Sequence, residues 1–197
     1  MNSASKIRRE LLRKTLHIFG VSIYLTYLKF GVEGSFLYLL VCFSISLLFE
    51  IIRLKAYRYF PFKFIIREVV RDEERWKFGA HIYFFIGSIL AFIISFFNEN
   101  AIIGIMCMVF SDAAGAIVGV TVGKHRISRR GRKTVEGAVA GGAVAFLTAY
   151  IMMKNLVASI VLATVYITVD SLNININDNL LLPVCFTLAL NILVFLR

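Results

Sequence analysis

Seven stretches of this chain, 15–30, 35–52, 79–97, 101–122, 135–153, 156–169 and 180–196, are too apolar to sit easily in water. A helix that crosses roughly 30 Å of hydrocarbon needs about 20 mostly apolar residues, because inside lipid every backbone amide must find its partner within the segment. Most of the seven approach that length, and 156–169 is the shortest. With 59% hydrophobic residues and only two prolines, the pattern predicts an all-α polytopic membrane bundle of about seven transmembrane helices. Residues 1–197 read as a single integral-membrane domain. A basic stretch precedes the first apolar segment, as in a signal peptide, but no small-residue cleavage site follows, so that segment is read as a mature helix. Cys42, Cys107 and Cys185 lie inside apolar segments at spacings that suit neither a disulfide framework nor a zinc site.

Charge placement orients the bundle. Of the 22 Lys and Arg residues, all but Lys29, Lys154 and Arg197 fall before the first segment, between Arg53 and Lys77, or between Lys124 and Lys133. The positive-inside rule then puts the N-terminus in the cytoplasm and the C-terminus outside. A net charge of +10 is compatible with nucleic acid, yet its confinement to loops between apolar segments points to the membrane surface and phosphate-bearing ligands instead. The region from Arg53 to Lys77 mixes eight cations with Glu68, Asp72, Glu73, Glu74 and six aromatic residues, a composition suited to a helix lying in the interface.

Four polar clusters remain. Glu10, Arg13, Lys14 and His17 share one helical face at i, i+3, i+4 and i+7. Asp112 sits inside the fourth apolar segment, where an acid costs about 2.5–3.5 kcal/mol and marks a functional position by default. Gly115, Gly119 and Gly123 follow it at intervals of four, a stripe that suits close approach of a ligand, packing of a neighbouring helix, or a homodimer. The loop from Lys124 to Lys133 holds six cations and no acid, and Lys133, Thr134 and Glu136 then open the next helix, whose N-terminal amides favour an anion. Asp170, Asn173, Asp178 and Asn179 form a turn of oxygen donors suited to magnesium shared with phosphate, or simply to a polar connection. His81 and His125 lack a companion at ligand spacing and read as interfacial. No Walker A sequence is present, since Gly119 to His125 has the wrong spacing and ends in His.

The strings ELLRKTLH (Glu10–His17), SDAAGAIVGVTVGK (Ser111–Lys124), RKTVEG (Arg132–Gly137) and NDNLLLP (Asn177–Pro183) resemble the CTP-dependent lipid kinases, the group of dolichol kinase, CTP-dependent diacylglycerol kinase and phytol kinase. The resemblance spans nearly the whole chain, and the middle two strings are also similar to phosphatidate cytidylyltransferases. It implies transfer of the γ-phosphoryl of CTP to a lipid alcohol (dolichol, another isoprenoid alcohol or diacylglycerol) at the cytoplasmic face of the membrane, with Mg²⁺. It further implies catalytic roles for Asp112, Lys133 and Glu136, nucleotide binding by Arg13, Lys14, Gly115, Gly119, Lys124, Arg132, Lys133 and Thr134, and metal binding by Asp112, Asp178 and Asn179, with Glu10, His17 and Asp170 as further candidates. Where the kinases tend to carry two adjacent acids, this chain has Asn177 before Asp178, and the PGHGG stretch of the cytidylyltransferases is missing. Two other readings stay open on the residues alone: cytidylyl transfer to a phosphatidate-like lipid, and a non-catalytic transporter whose Asp112 and cations line an ion path.

Overall fold

The computed structural model describes residues 20–59, 77–127, 133–172 and 176–195. Within them the chain forms six α-helices: α1 (Val21–Lys55), α2 (Ala80–Ile94), α3 (Glu99–Thr121), α4 (Val135–Met153), α5 (Leu156–Ser171) and α6 (Asp178–Phe195). A 3₁₀ turn, Tyr57–Tyr59, follows α1. The expected interfacial helix between Arg53 and Lys77 falls mostly outside the described residues.

The expectation of seven spans is corrected. Four helices, α1, α3, α4 and α6, are long and apolar enough to cross a membrane. Helices α2 and α5 have 15 and 16 residues. At 1.5 Å per residue they rise only about 22–24 Å, short of the hydrocarbon thickness. The first two apolar stretches both fall in α1, as two helical legs that meet at Gly31 (φ 70°, ψ −168°). That backbone conformation is essentially restricted to glycine. Residues twelve apart in a straight helix lie about 18 Å apart, yet the Ser35 hydroxyl donates to the Ile23 carbonyl at 3.2 Å and the Tyr38 hydroxyl to Ser22 Oγ at 2.9 Å. The chain therefore doubles back at Gly31. Nothing lies within 4 Å of a Cβ added there, so Gly31→Ala tests conformation alone. We expect it to lower the thermal unfolding midpoint in detergent, at a cost of about 1–3 kcal/mol.

Helix α3 is the axis of the bundle. Its residues from Ala101 to Val109 are all buried, as expected of a helix surrounded by others. The outside is apolar too: Leu37, Val41, Ile45 and Leu48 recur at helical spacing on α1 and are each more than half exposed, a stripe suited to lipid. Side-chain amides tie the helices at both ends. Asn179 Nδ2 donates to the Ala80 carbonyl at 3.1 Å and Asn191 Nδ2 to the Ile94 carbonyl at 2.8 Å, so α2 and α6 run side by side in the same direction. Asn100 Nδ2 completes the second tie, to Asn191 Oδ1 at 2.8 Å.

Those ties sort the chain into two ends. The C-terminal ends of α1, α3 and α5 and the N-terminal ends of α2, α4 and α6 meet at one of them. There the carboxylate of Glu50 binds Arg53 through two nitrogens, at 2.8 and 2.7 Å, and accepts from Gly79 N at 2.6 Å, while Arg53 Nη2 also reaches the Lys77 carbonyl. This buried pair closes the connection between α1 and α2. Lys29 and Lys154 belong to the opposite end, as the charge distribution required.

Candidate functional site: a lysine between two carboxylates

Lys133, the residue just before the N-cap of α4, reaches across the polar end of the bundle. Its Nζ lies 2.9 Å from the Asp178 carboxylate, at the start of α6, and 3.3 Å from that of Asp170, in the last turn of α5. Two carboxylates share one ammonium, so the trio carries one negative charge in excess. All three side chains are partly buried. Burial by itself would lower the Lys133 pKa, but the charges and hydrogen bonds of Asp178 and Asp170 outweigh it and hold the ammonium above its usual range.

Local sequence explains how Lys133 comes to point there. Thr134 caps α4, its hydroxyl accepting from Gly137 N at 3.1 Å. The chain before it pairs with the end of the preceding connection: Ile127 N donates to the Lys133 carbonyl at 3.1 Å and Val135 N to the His125 carbonyl at 2.9 Å, with a bridge between Arg126 and Thr134. Glu136 braces this short ladder. It accepts from His125 N at 3.2 Å and lies 2.7 Å from His125 Nδ1. His125, read as interfacial with no companion at ligand spacing, is exposed and pairs with Glu136 across this ladder, a contact that linear spacing does not show. His81 likewise stands 3.8 Å from Glu50 Oε2.

The glycine stripe is a packing surface within the chain. A Cβ on Gly137 would come within 2.7 Å of the Gly115 carbonyl, and one on Gly119 within 3.1 Å of Thr134 Oγ1. Helices α3 and α4 therefore touch backbone to backbone, and Gly115 and Gly119 face α4. Thr134, expected among the nucleotide-binding residues, is buried as the helix cap. Lys124 is exposed beside the hairpin. Asn179, expected as a metal ligand, is buried and its amide nitrogen ties α6 to α2.

Sequence reasoning missed Tyr166. Its ring, 2% exposed, fills a slot left by Gly115 of α3 and Gly141 of α4; a Cβ on either glycine would overlap the ring or its hydroxyl. Asp112, Asp170 and Asp178 all exert their charge on that hydroxyl, which places Asp112 in the same neighbourhood as the lysine trio. The signal was present in the spacing of Tyr166 and Asp170, one helical turn apart on α5. Glu10, Arg13, Lys14, His17, Asn173 and Arg132 lie outside the described residues.

Among the described residues no group of three or more His, Cys, Asp or Glu side chains is arranged to hold a metal unaided. Magnesium does not demand one, since it is commonly held by one or two carboxylates together with substrate phosphates. Asp170 and Asp178 already converge on a single cation, and their oxygen donors and excess negative charge fit Mg²⁺.

These features define a helical membrane protein with a half-buried lysine and carboxylate cluster at one end of its bundle. The sequence is 30% identical over 184 residues to the uncharacterized protein MJ1137 of Methanocaldococcus jannaschii, covering 93% of each chain, and the protein belongs to the same family. No family model matches the sequence. No solved structure matches it. The relative's name carries no activity, so the chemistry rests on the side chains.

Proposed function

We propose that this protein is a membrane lipid-alcohol kinase that transfers the γ-phosphoryl of CTP to the hydroxyl of an isoprenoid alcohol or diacylglycerol at the cytoplasmic face. The observation that carries the reading is Lys133, shared between Asp170 and Asp178 beside Asp112 and Tyr166. Phosphoryl transfer asks for positioning and charge neutralisation more than for covalent chemistry. A lysine that can exchange carboxylate partners for phosphate oxygens supplies the second. Arg13, Lys14 and Arg132, assigned by resemblance, complete the triphosphate-binding set. The cation-rich loops adjoin the site end, which the positive-inside rule assigns to the cytoplasm, and α6 leads away from it towards the opposite face.

In this reading the lipid alcohol lies between helices with its hydroxyl at the polar end. Asp112 orients the hydroxyl and accepts its proton as the new oxygen–phosphorus bond forms and the bond to the bridging oxygen breaks, releasing CDP. Asp170 and Asp178 would hold Mg²⁺, which when bound offsets the charge of the triphosphate. Glu136 acts through the hairpin, holding Lys133 at its station.

The test is the fate of the label. Purified protein in detergent with Mg²⁺ and a panel of dolichol, short isoprenols and diacylglycerol is expected to move label from γ-labelled CTP into lipid and none from α-labelled CTP. Label from the α position, with release of pyrophosphate, would instead establish cytidylyl transfer. Ion flux in liposomes without CTP turnover would sink both.

A further inference from the structure

The slot occupied by Tyr166 is expensive to build. Two helices give up a side chain to admit its ring, Gly115 on α3 and Gly141 on α4, and glycine weakens a helix interior wherever it stands. A ring needed only as filling could be a phenylalanine, which spares the bundle a buried hydroxyl. Here the hydroxyl is buried and turned towards Gly115, one turn along α3 from Asp112 and on the same face. The charged groups acting on it come from three elements: Asp112 of α3, Asp170 of α5 itself and Asp178 of α6. Lys133, ahead of α4, stands against the latter two. Ionised carboxylates only accept hydrogen bonds, so among them a phenol acts as a donor. Asp170 and Asp178 already share the Lys133 ammonium.

We infer that Tyr166 is a positioning residue of the site, its hydroxyl donating to the carboxylate of Asp112 and fixing the direction in which that carboxylate meets the acceptor hydroxyl. The inference deepens the kinase reading and rests on it. Tyr166 does not touch the nucleotide in this arrangement. It acts through Asp112, the residue that meets the lipid, and its effect belongs to the chemical step.

Tyr166→Phe keeps the ring that fills the glycine slot and deletes only the donor. In the γ-labelled CTP assay it is expected to lower kcat at least tenfold, leave KM for CTP within about twofold, and leave the thermal unfolding midpoint unchanged. In an Asp112→Asn background the same substitution should lower kcat no further, since the group it positions is gone. A wild-type kcat in Tyr166→Phe overturns the inference while leaving the kinase reading standing. So does a fall in kcat matched by a lower unfolding midpoint or a failure to fold, because the hydroxyl would then serve packing. A wild-type protein inert towards CTP and every lipid alcohol overturns the kinase reading, and this inference with it.

Discussion

Lys133→Met should lose at least a hundredfold in lipid phosphorylation and, at neutral pH, about 1–3 kcal/mol of stability. The methionine keeps much of the apolar stem and removes the ammonium, leaving Asp170 and Asp178 facing each other without the cation they share. Breaking a fully buried ion pair costs about 3–5 kcal/mol. Lys133 and Asp178 are each about one-third exposed, 31% and 33%, so water screens part of the loss and the smaller figure applies. The pH dependence follows from the raised pKa of Lys133. A cation stabilised by folding contributes in full below its unfolded pKa, about 10.4. That contribution is lost as the pH rises through the folded value. Wild type and variant should therefore differ throughout the neutral range and converge only in strong alkali, where the wild type loses its ammonium. Thermal melts from pH 7 to pH 11 read the gap; equal midpoints at pH 7 would remove Lys133 from the structural account. Wild-type transfer by the variant would remove it from the chemistry.

The partners of Lys133 show which parts of this site a linear reading reaches. Lys133, with Asp112, Asp170 and Asp178, stands out as charge beside apolar segments, because hydrocarbon makes each such residue costly and therefore conspicuous. That they meet at one end follows from counting cations between apolar segments. Their pairing is not visible: Lys133 and Asp178 are 45 residues apart and belong to different helices. Tyr166 stayed hidden for the opposite reason, since an aromatic residue in an apolar helix is indistinguishable from core until the two glycines opposite it are placed. The number of spans failed on backbone geometry. The pause between 30 and 35 marks the break in α1, and 156–169 is already the shortest stretch; what hydropathy does not show is that α2 ends after 15 residues, short of a bilayer's thickness.

Gly141→Val should destabilise the bundle while leaving every charged group in place. A Cβ at this position would overlap the ring of Tyr166 at Cε1 and Cζ and come within 2.5 Å of the hydroxyl, and a branched side chain adds two methyl groups to the collision. The ring cannot retreat, because Gly115 of α3 bounds its other side, and the α3 backbone is itself pressed against Gly137. Overpacking a tight core costs about 1–3 kcal/mol, and more where backbones must part. At roughly 2–4 °C per kcal/mol for a chain of this size, the unfolding midpoint should fall by about 2–12 °C. Tyr166→Ala alone should also destabilise, by about 3–5 kcal/mol, through the cavity it leaves. Combined, the two should cost clearly less than their separate effects together, because valine then grows into the space the ring vacates. That shortfall in a double-mutant cycle is specific to contact between α4 and α5 at this point. Strict additivity would show that Gly141 and Tyr166 do not touch, and with that the slot that holds the Tyr166 hydroxyl among the carboxylates would be gone.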